Sequence, residues 1–271
     1  MTRIAVIGGG RIGEALISGL LRSGHAVKDI VVSEHFPARA KELSDKYKIL
    51  ATGIGDAVEG ADVIVIAVKP GDVESVTVEI DKVDGATEQE QILVSLAAGV
   101  TTAFYEKRLP AGFPVVRVMP NTPMLVGHGM SVLAPGRHAN DDHLKVVRDI
   151  LGAVGETATV KEDLIDAVTA VSGSGPAYIF LVAEAMVDAA VSMGLPRPTA
   201  TQLVNQTISG AAAMLHDSGE SATELRGGVS SPGGTTAAAI RQLESFGLRR
   251  AFYEGLDAAK TRSEELAAGL E

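Results

Sequence analysis

Cysteine is absent from all 271 residues. That single absence excludes disulfide scaffolds, thiolate nucleophiles, iron–sulfur clusters and thiolate zinc sites. Metal-ligand spacing is missing as well. The six histidines (His25, His35, His128, His138, His143 and His216) are scattered, and no two share a helix face at ligand spacing, so no metal is expected. No block of lysine or arginine occurs, and the net charge is −10. An acidic chain of this kind does not coat nucleic acid, where phosphate neutralisation carries the affinity. A long stretch free of Asp, Glu, Lys and Arg, Pro198 to His216, contains Gln202, Asn205 and Gln206. It is too polar to rest in lipid, and no membrane partner is expected. Met1 leads directly into the strand-like run Ile4-Ala5-Val6-Ile7 without a signal-peptide pattern, so the expected location is the cytoplasm.

Apolar residues make up 46% of the chain and charged ones 21%, enough to fill a core. In the first half, short apolar runs at Ile30–Val32, Val63–Val68, Ile92–Leu96 and Val115–Met119 are nearly continuous. Such runs suit strands covered on both faces of a parallel sheet. Helix patterns at Glu14–Arg22, Ala38–Tyr47 and around Asp72–Val76 lie between them. The alternation predicts a doubly wound α/β domain over residues 1–160, with shorter strand-like pieces near Ser131–Ala134 and Glu156–Val160. From about Asp163 the strand signals give way to Ala, Leu, Met and Glu. Helices are expected at Leu164–Val171, Pro176–Met193, Pro198–Asp217, Ser221–Arg226, Thr235–Phe246 and Gly247–Leu266, forming an all-helical domain over 161–271. Pro176 and Pro198 suit first-turn positions, and Gly194 suits a helix stop.

The sharpest motif is Gly8-Gly9-Gly10-Arg11-Ile12-Gly13, placed between the first strand and the first helix. Gly8 permits the tight turn, Gly10 lets backbone reach a pyrophosphate, and Gly13 lets helix and strand pack closely. The backbone of Arg11 and Ile12 then faces the phosphates from the helix N-terminus. An acid 21 positions beyond Gly13, Glu34, ends the second strand, where a carboxylate bonds ribose hydroxyls and repels a 2′-phosphate. Ser33, His35 and Arg39 lie close enough in sequence to meet a phosphate instead. The expected cofactor is therefore NADP(H) or NAD(H). Three further strand ends point to the same crevice: Ala67-Val68-Lys69-Pro70, Ala97-Ala98-Gly99 and Met119-Pro120-Asn121-Thr122-Pro123. Asn121, held between prolines, offers an amide for a carboxamide or hydroxyl.

In the helical half, Ser172-Gly173-Ser174-Gly175-Pro176 and Ser230-Ser231-Pro232-Gly233-Gly234-Thr235-Thr236 each precede a long helix. Both are expected to present free N–H groups and hydroxyls to a small anionic substrate. From Asp163 to Ala259 there is no lysine, and the sole histidine is His216. Oxidation of an alcohol requires a general base such as these. Hydroxyls and amides suit reduction of a C=N bond instead, with Thr236 or Ser231 orienting the nitrogen. Tyr178, Glu162 and Tyr253 remain candidate acids.

With these residues in view, the chain resembles the pyrroline-5-carboxylate reductases. The likeness rests on Gly8–Gly13, Ala67–Pro70, Ala97–Val100, Met119–Pro123, Asp163–Val168, Ser172–Tyr178 and Ser230–Thr236, in the family's order and spacing from residue 3 to about 266. It implies NAD(P)H-dependent reduction of (S)-1-pyrroline-5-carboxylate to L-proline, the last step of proline biosynthesis. It further implies that Gly234-Thr235-Thr236 holds the substrate carboxylate and ring nitrogen, that Thr236 bonds that nitrogen, and that Glu162 lies near the substrate. The helical domain of the family forms an interlocked dimer, and some members build rings of dimers. Departures from the family pattern are Arg11-Ile12 in place of Asn-Met, Ile54 in place of Asn, Glu34 in place of a small polar residue, and Gly227 in place of Asp. Reductases of the 3-hydroxyacid and 6-phosphogluconate type share the architecture but rely on a lysine in the helical domain.

Overall fold

The computed structural model describes residues 2–83 and 91–269. In chain order the elements are β1 (Ile4–Ile7), α1 (Arg11–Arg22), β2 (Ile30–Ser33), α2 (Pro37–Tyr47), β3 (Leu50–Thr52), α3 (Ile54–Val58), β4 (Val63–Ile66), α4 (Val73–Asp81), β5 (Ile92–Ser95), α5 (Thr102–Glu106) and β6 (Val115–Met119). There follow β7 (Gly129–Pro135), α6 (Asp141–Leu151), β8 (Gly155–Thr159), α7 (Ile165–Val168), α8 (Gly175–Ser192), α9 (Arg197–Asp217), α10 (Ala222–Gly228), α11 (Thr235–Ser245) and α12 (Leu248–Ala268).

The strands form one sheet in the order β3-β2-β1-β4-β5-β6-β7-β8. β1 to β6 run parallel, β7 is antiparallel to β6, and β8 is parallel to β7. The strand order reverses between β1 and β4, the switch point at which open α/β sheets bind ligands. Alternation within each strand feeds two cores. Ile4 and Val6 of β1 pack with Leu16, Ile17 and Leu20 of α1, Leu43 of α2 and Val147 of α6. Ala5 and Ile7 face the other way, with Val73 and Ile80 of α4 and Tyr105 of α5. Each large side chain buried here contributes about 1.5–3 kcal/mol relative to exposure. Tyr105 is fully buried, and its hydroxyl meets Ser95 Oγ at 2.7 Å; burial pushes its pKa up.

The chain divides into two compact units, Met1–Ser174 with Ala259–Glu271, and Gly175–Ala258. The first unit thus runs past the expected boundary at residue 160 and reclaims the end of α12. The reason is local packing: Ile165 is buried with Val132 and Ala134, and Ser263 Oγ donates to Asp166 Oδ1 at 2.6 Å. In the second unit, Val187 and Ala190 of α8 pack on Ala200 and Val204 of α9. Much of α8 is bare: Ile179, Phe180, Leu181 and Met186 are exposed in the single chain. The helical stretch Glu162–Ser192 is long and apolar enough to cross a membrane, yet only 11% of its most apolar window is buried within the chain.

Four elements lie outside the sequence expectations: β3, α3, α5 and α6. The last is a full amphipathic helix that begins with a capping box, in which Asn140 Oδ1 accepts from His143 N–H at 2.9 Å and His143 Nδ1 accepts from Asn140 N–H at 3.1 Å. α1 also starts earlier than expected, at Arg11, because Gly10 serves as its N-cap. Asn140→Ala is expected to lower stability by about 1 kcal/mol, read as a lower urea midpoint with an unchanged slope.

Candidate active site

Gly8 has φ +104°, and a Cβ there would lie 2.8 Å from the carbonyl of Ala67. Only glycine satisfies both conditions. A Cβ on Gly13 would overlap the carbonyl oxygen of Gly8, whereas one on Gly10 would meet open space. The loop is thus tight against β4 and α1 and open where a ligand approaches. Gly10 caps α1 without a side-chain hydrogen bond, which leaves the first-turn N–H groups of α1, with its partial positive charge, facing outward. An uncapped helix start beside an open glycine fits a pyrophosphate. Gly8 and Ala67 meet directly, Gly8 N–H donates to Ser33 carbonyl at 2.8 Å, and Leu96 N–H donates to Ile66 carbonyl at 2.9 Å. The structure therefore gathers the ends of β1, β2, β4 and β5, carrying Gly8–Gly13, Ser33–Glu34, Ala67–Pro70 and Ala97–Ala98, along one edge of the sheet.

Glu34 is braced rather than loose. Its Oε2 accepts from Gly9 N–H at 2.8 Å and its Oε1 from Phe36 N–H at 2.9 Å. Arg39 is committed elsewhere: its Nε donates to Gly9 carbonyl at 2.9 Å, and its terminal nitrogens bind Glu14 and Glu42. Glu14 also receives Lys46 Nζ at 2.8 Å and Tyr47 Oη at 2.9 Å. Burial pushes the Glu14 pKa up, but the hydrogen bonds from Lys46, Arg39 and Tyr47 outweigh it and hold the group at about 2. The grip on Glu14 is invisible in the sequence, since Arg39, Lys46 and Tyr47 lie 25 to 33 residues from it.

At the end of β6 the expectation for Asn121 changes. Its amide is already engaged inside the protein, with Nδ2 donating to Ser172 carbonyl at 3.0 Å and Oδ1 accepting from Met130 N–H at 2.8 Å. Glu162 is engaged as well. It accepts from Thr102 N–H at 2.6 Å and from the Thr102 hydroxyl, and it lies 3.5 Å from the buried Arg117. That carboxylate braces the first turn of α5, behind the N-cap Thr101. Lys69 is exposed at the turn after β4.

The two Gly/Ser/Pro segments differ. Ser172–Pro176 is not an open helix start, because the chain before it is already helical. Residues Thr169–Gly173 form a π-helical turn, and Ser174 N–H donates to Thr169 carbonyl at 2.8 Å. The Ser174 N–H is spent on that bond, leaving the Ser174 hydroxyl. Ser230–Thr236 is an open helix start. Gly233 has φ +73°, Gly234 N–H closes a turn on Ser231 carbonyl at 3.0 Å, and Gly234 caps α11 without a side-chain hydrogen bond. The first-turn N–H groups of Thr235, Thr236 and Ala237 have no helical acceptor before them. The Thr236 hydroxyl sits beside them, half-buried. Tyr253 is 79% exposed in the single chain. Among the described residues no group of three His, Asp or Glu could hold a metal.

Residues 162–266 match the family model described as pyrroline-5-carboxylate reductase dimerisation. The pyrroline-5-carboxylate reductase of Mycobacterium tuberculosis is 51% identical, with 98% of this chain and 97% of the relative covered. The chain belongs to the pyrroline-5-carboxylate reductase family. A second reductase, from Corynebacterium melassecola, is 49% identical over 98% of this chain and 99% of its own length. Residues 3–99 match a model described as NADP oxidoreductase, coenzyme F420-dependent. Among solved structures, a pyrroline-5-carboxylate reductase from Coxiella burnetii superposes with a TM-score of 0.94 at 38% identity, covering 98% of both chains. The Plasmodium falciparum enzyme, solved with NADP bound, gives 0.84 at 28% identity over 98% of both. The reductase family thus covers the sheet and the helices together, including the Ser230–Thr236 loop.

Glu14 lies in the dinucleotide half of this reductase and gives it a pH signature. Its pKa is held near 2, against 4.5 ordinarily, so its stabilisation is fully present above about pH 4.5 and is lost as pH falls towards 2. Glu14→Gln is expected to reduce stability at pH 7 by about 1 kcal/mol. The gap to the parent should close between pH 4.5 and 2, as followed by denaturant melts across that range.

Proposed function

We propose that this protein reduces (S)-1-pyrroline-5-carboxylate to L-proline with NAD(P)H, the last step of proline biosynthesis, and that it does so in the cytoplasm. The observation that carries the reading is the near-complete match to named reductases of this activity, joined to an open helix start at Gly234-Thr235-Thr236. The substrate is a small cyclic imine with one carboxylate, and that loop supplies what such a molecule needs. The N–H groups of Thr235, Thr236 and Ala237, at the positive end of α11, hold the carboxylate. The Thr236 hydroxyl bonds the ring nitrogen and fixes the face of the C=N bond, with the hydroxyls of Ser231 and Ser174 as further substrate contacts. Glu162 lies near the substrate in this reading and keeps α5 and Arg117 in place.

The dinucleotide half fits a nicotinamide cofactor through Gly8, Gly10, Arg11, Ile12 and Gly13 for the pyrophosphate, and through Ser33 and Glu34 for the ribose. Ala67, Val68, Lys69, Pro70, Ala97 and Ala98 line the crevice beyond. When bound, the reduced cofactor supplies a hydride. The chain supplies proximity, orientation and exclusion of water, and correct placement alone accounts for a large part of such rate enhancements. NADH is the favoured form in this reading. Glu34 is pinned at the end of β2, where a carboxylate repels a 2′-phosphate, and Arg39, the nearby cation, is spent on Glu14, Glu42 and Gly9.

The apolar, exposed flank of α8 belongs to the dimerisation segment of the family. Self-association through the helical half buries it, in a dimer or in a ring of dimers, which makes a second copy rather than lipid its partner. The net charge of −10 keeps nucleic acid out of the reading.

Two outcomes test this. Thr236→Ala is expected to lower kcat/KM for pyrroline-5-carboxylate by about 10²-fold or more, while NADH affinity by fluorescence titration stays within about twofold; unchanged turnover would remove Thr236 from the chemistry. Glu34→Ser is expected to move the NADH/NADPH ratio of kcat/KM towards NADPH by about tenfold, near 1.4 kcal/mol, in side-by-side oxidation assays.

A further inference from the structure

Asn121, between Pro120 and Pro123 at the end of β6, faces a backbone defect created by a proline 55 residues later. In a helix the carbonyl of residue i accepts from the N–H of residue i+4. For Ser172 that donor would come from position 176, which is Pro176 and has no N–H. Pro176 therefore offers the Ser172 carbonyl no α-helical donor where the π-helical turn Thr169–Gly173 hands over to α8. Asn121 Nδ2 donates to that carbonyl at 3.0 Å, while Oδ1 is held by Met130 N–H at 2.8 Å. Both amide partners fix its orientation, since only the nitrogen can serve a carbonyl and only the oxygen an N–H. A second contact tightens the same junction: a Cβ on Gly173 would come within 2.5 Å of Met119 Cε. The π turn is thus seated on the end of β6 from two sides, immediately before Ser174. Turns of this type recur at functional sites.

We propose that Asn121 is a positioning residue. By supplying the hydrogen bond that Pro176 withholds from Ser172, it fixes the turn that presents Ser174, and its amide is not a ligand of the nicotinamide. This rests on the reading of the protein as a pyrroline-5-carboxylate reductase only for the activity readout.

The test uses the full chain with Asn121→Ala, the milder Asn121→Asp, which keeps the acceptor for Met130 and loses the donor to Ser172, and the double variant Asn121→Ala/Pro176→Ala. The double variant returns a backbone N–H four residues after Ser172. Both single variants are expected to lower kcat by about 10- to 100-fold, the loss typical of a misplaced group, with the Kd for NADH within about twofold of the parent. The double variant should recover most of kcat and of the melting temperature. A raised Kd for NADH with kcat unchanged at saturation would overturn the proposal and make the amide a cofactor ligand. Failure of Pro176→Ala to restore the melting temperature of Asn121→Ala would overturn it as well. Should the parent itself not reduce pyrroline-5-carboxylate, the assigned reaction falls. The melting temperatures and NADH affinities of the same variants then still decide what Asn121 does.

Discussion

Everything in the first unit turns on how closely backbone meets backbone at the end of β1. Gly8 lies against the carbonyl of Ala67, and Gly13 lies on the carbonyl of Gly8. A methyl group at either place would push α1 off the sheet and close the opening above Gly10. Glu34 and Arg39 then grip the two peptides that flank the Gly9 Cα, one accepting from the Gly9 N–H and the other donating to the Gly9 carbonyl. The loop is therefore set before any ligand arrives. Preorganisation of this kind saves a binding site the entropy of ordering its own backbone.

The parts that sequence made legible are those whose signal is local. β1, β2, β4, β5 and β6 show as runs because residues covered on both faces need no polar alternation. The helices after Asp163 show through composition, and Pro198 and Gly194 mark a start and a stop where the chain has them. β3 escaped notice because Leu50-Ala51-Thr52 is short and half-exposed, giving no apolar run. α6 escaped because its capping box closes with His143 in place of the usual Glu or Gln, although Leu144, Val147, Ile150 and Leu151 carry a helical spacing that was there to be read.

Within the site, legibility follows the same rule. The glycine loop, Glu34 and the Gly234–Thr236 helix start are sequence-local devices, legible from the residues themselves. Asn121 and Glu162 were read as ligands because an amide or a carboxylate at a strand or helix end has no visible partner in one dimension. Their partners, Ser172 and Thr102, lie 51 and 60 residues away. The Ser172–Pro176 segment misled for a related reason. Its residues look like a helix start, but Ile165–Gly173 is already wound and takes up the Ser174 N–H on the Thr169 carbonyl.

The two ends of the sheet carry a quieter consequence. On one side stands β3, three residues long with Leu50 turned to solvent; on the other stands β8, Gly-Glu-Thr-Ala-Thr, polar and only partly covered. A brief strand and a polar one are poor templates for further strand addition, the route by which exposed sheet margins drive aggregation. Growth of the sheet from copy to copy is discouraged at both margins, so contacts between copies are channelled to helices, and the long apolar flank can be displayed without inviting fibrils.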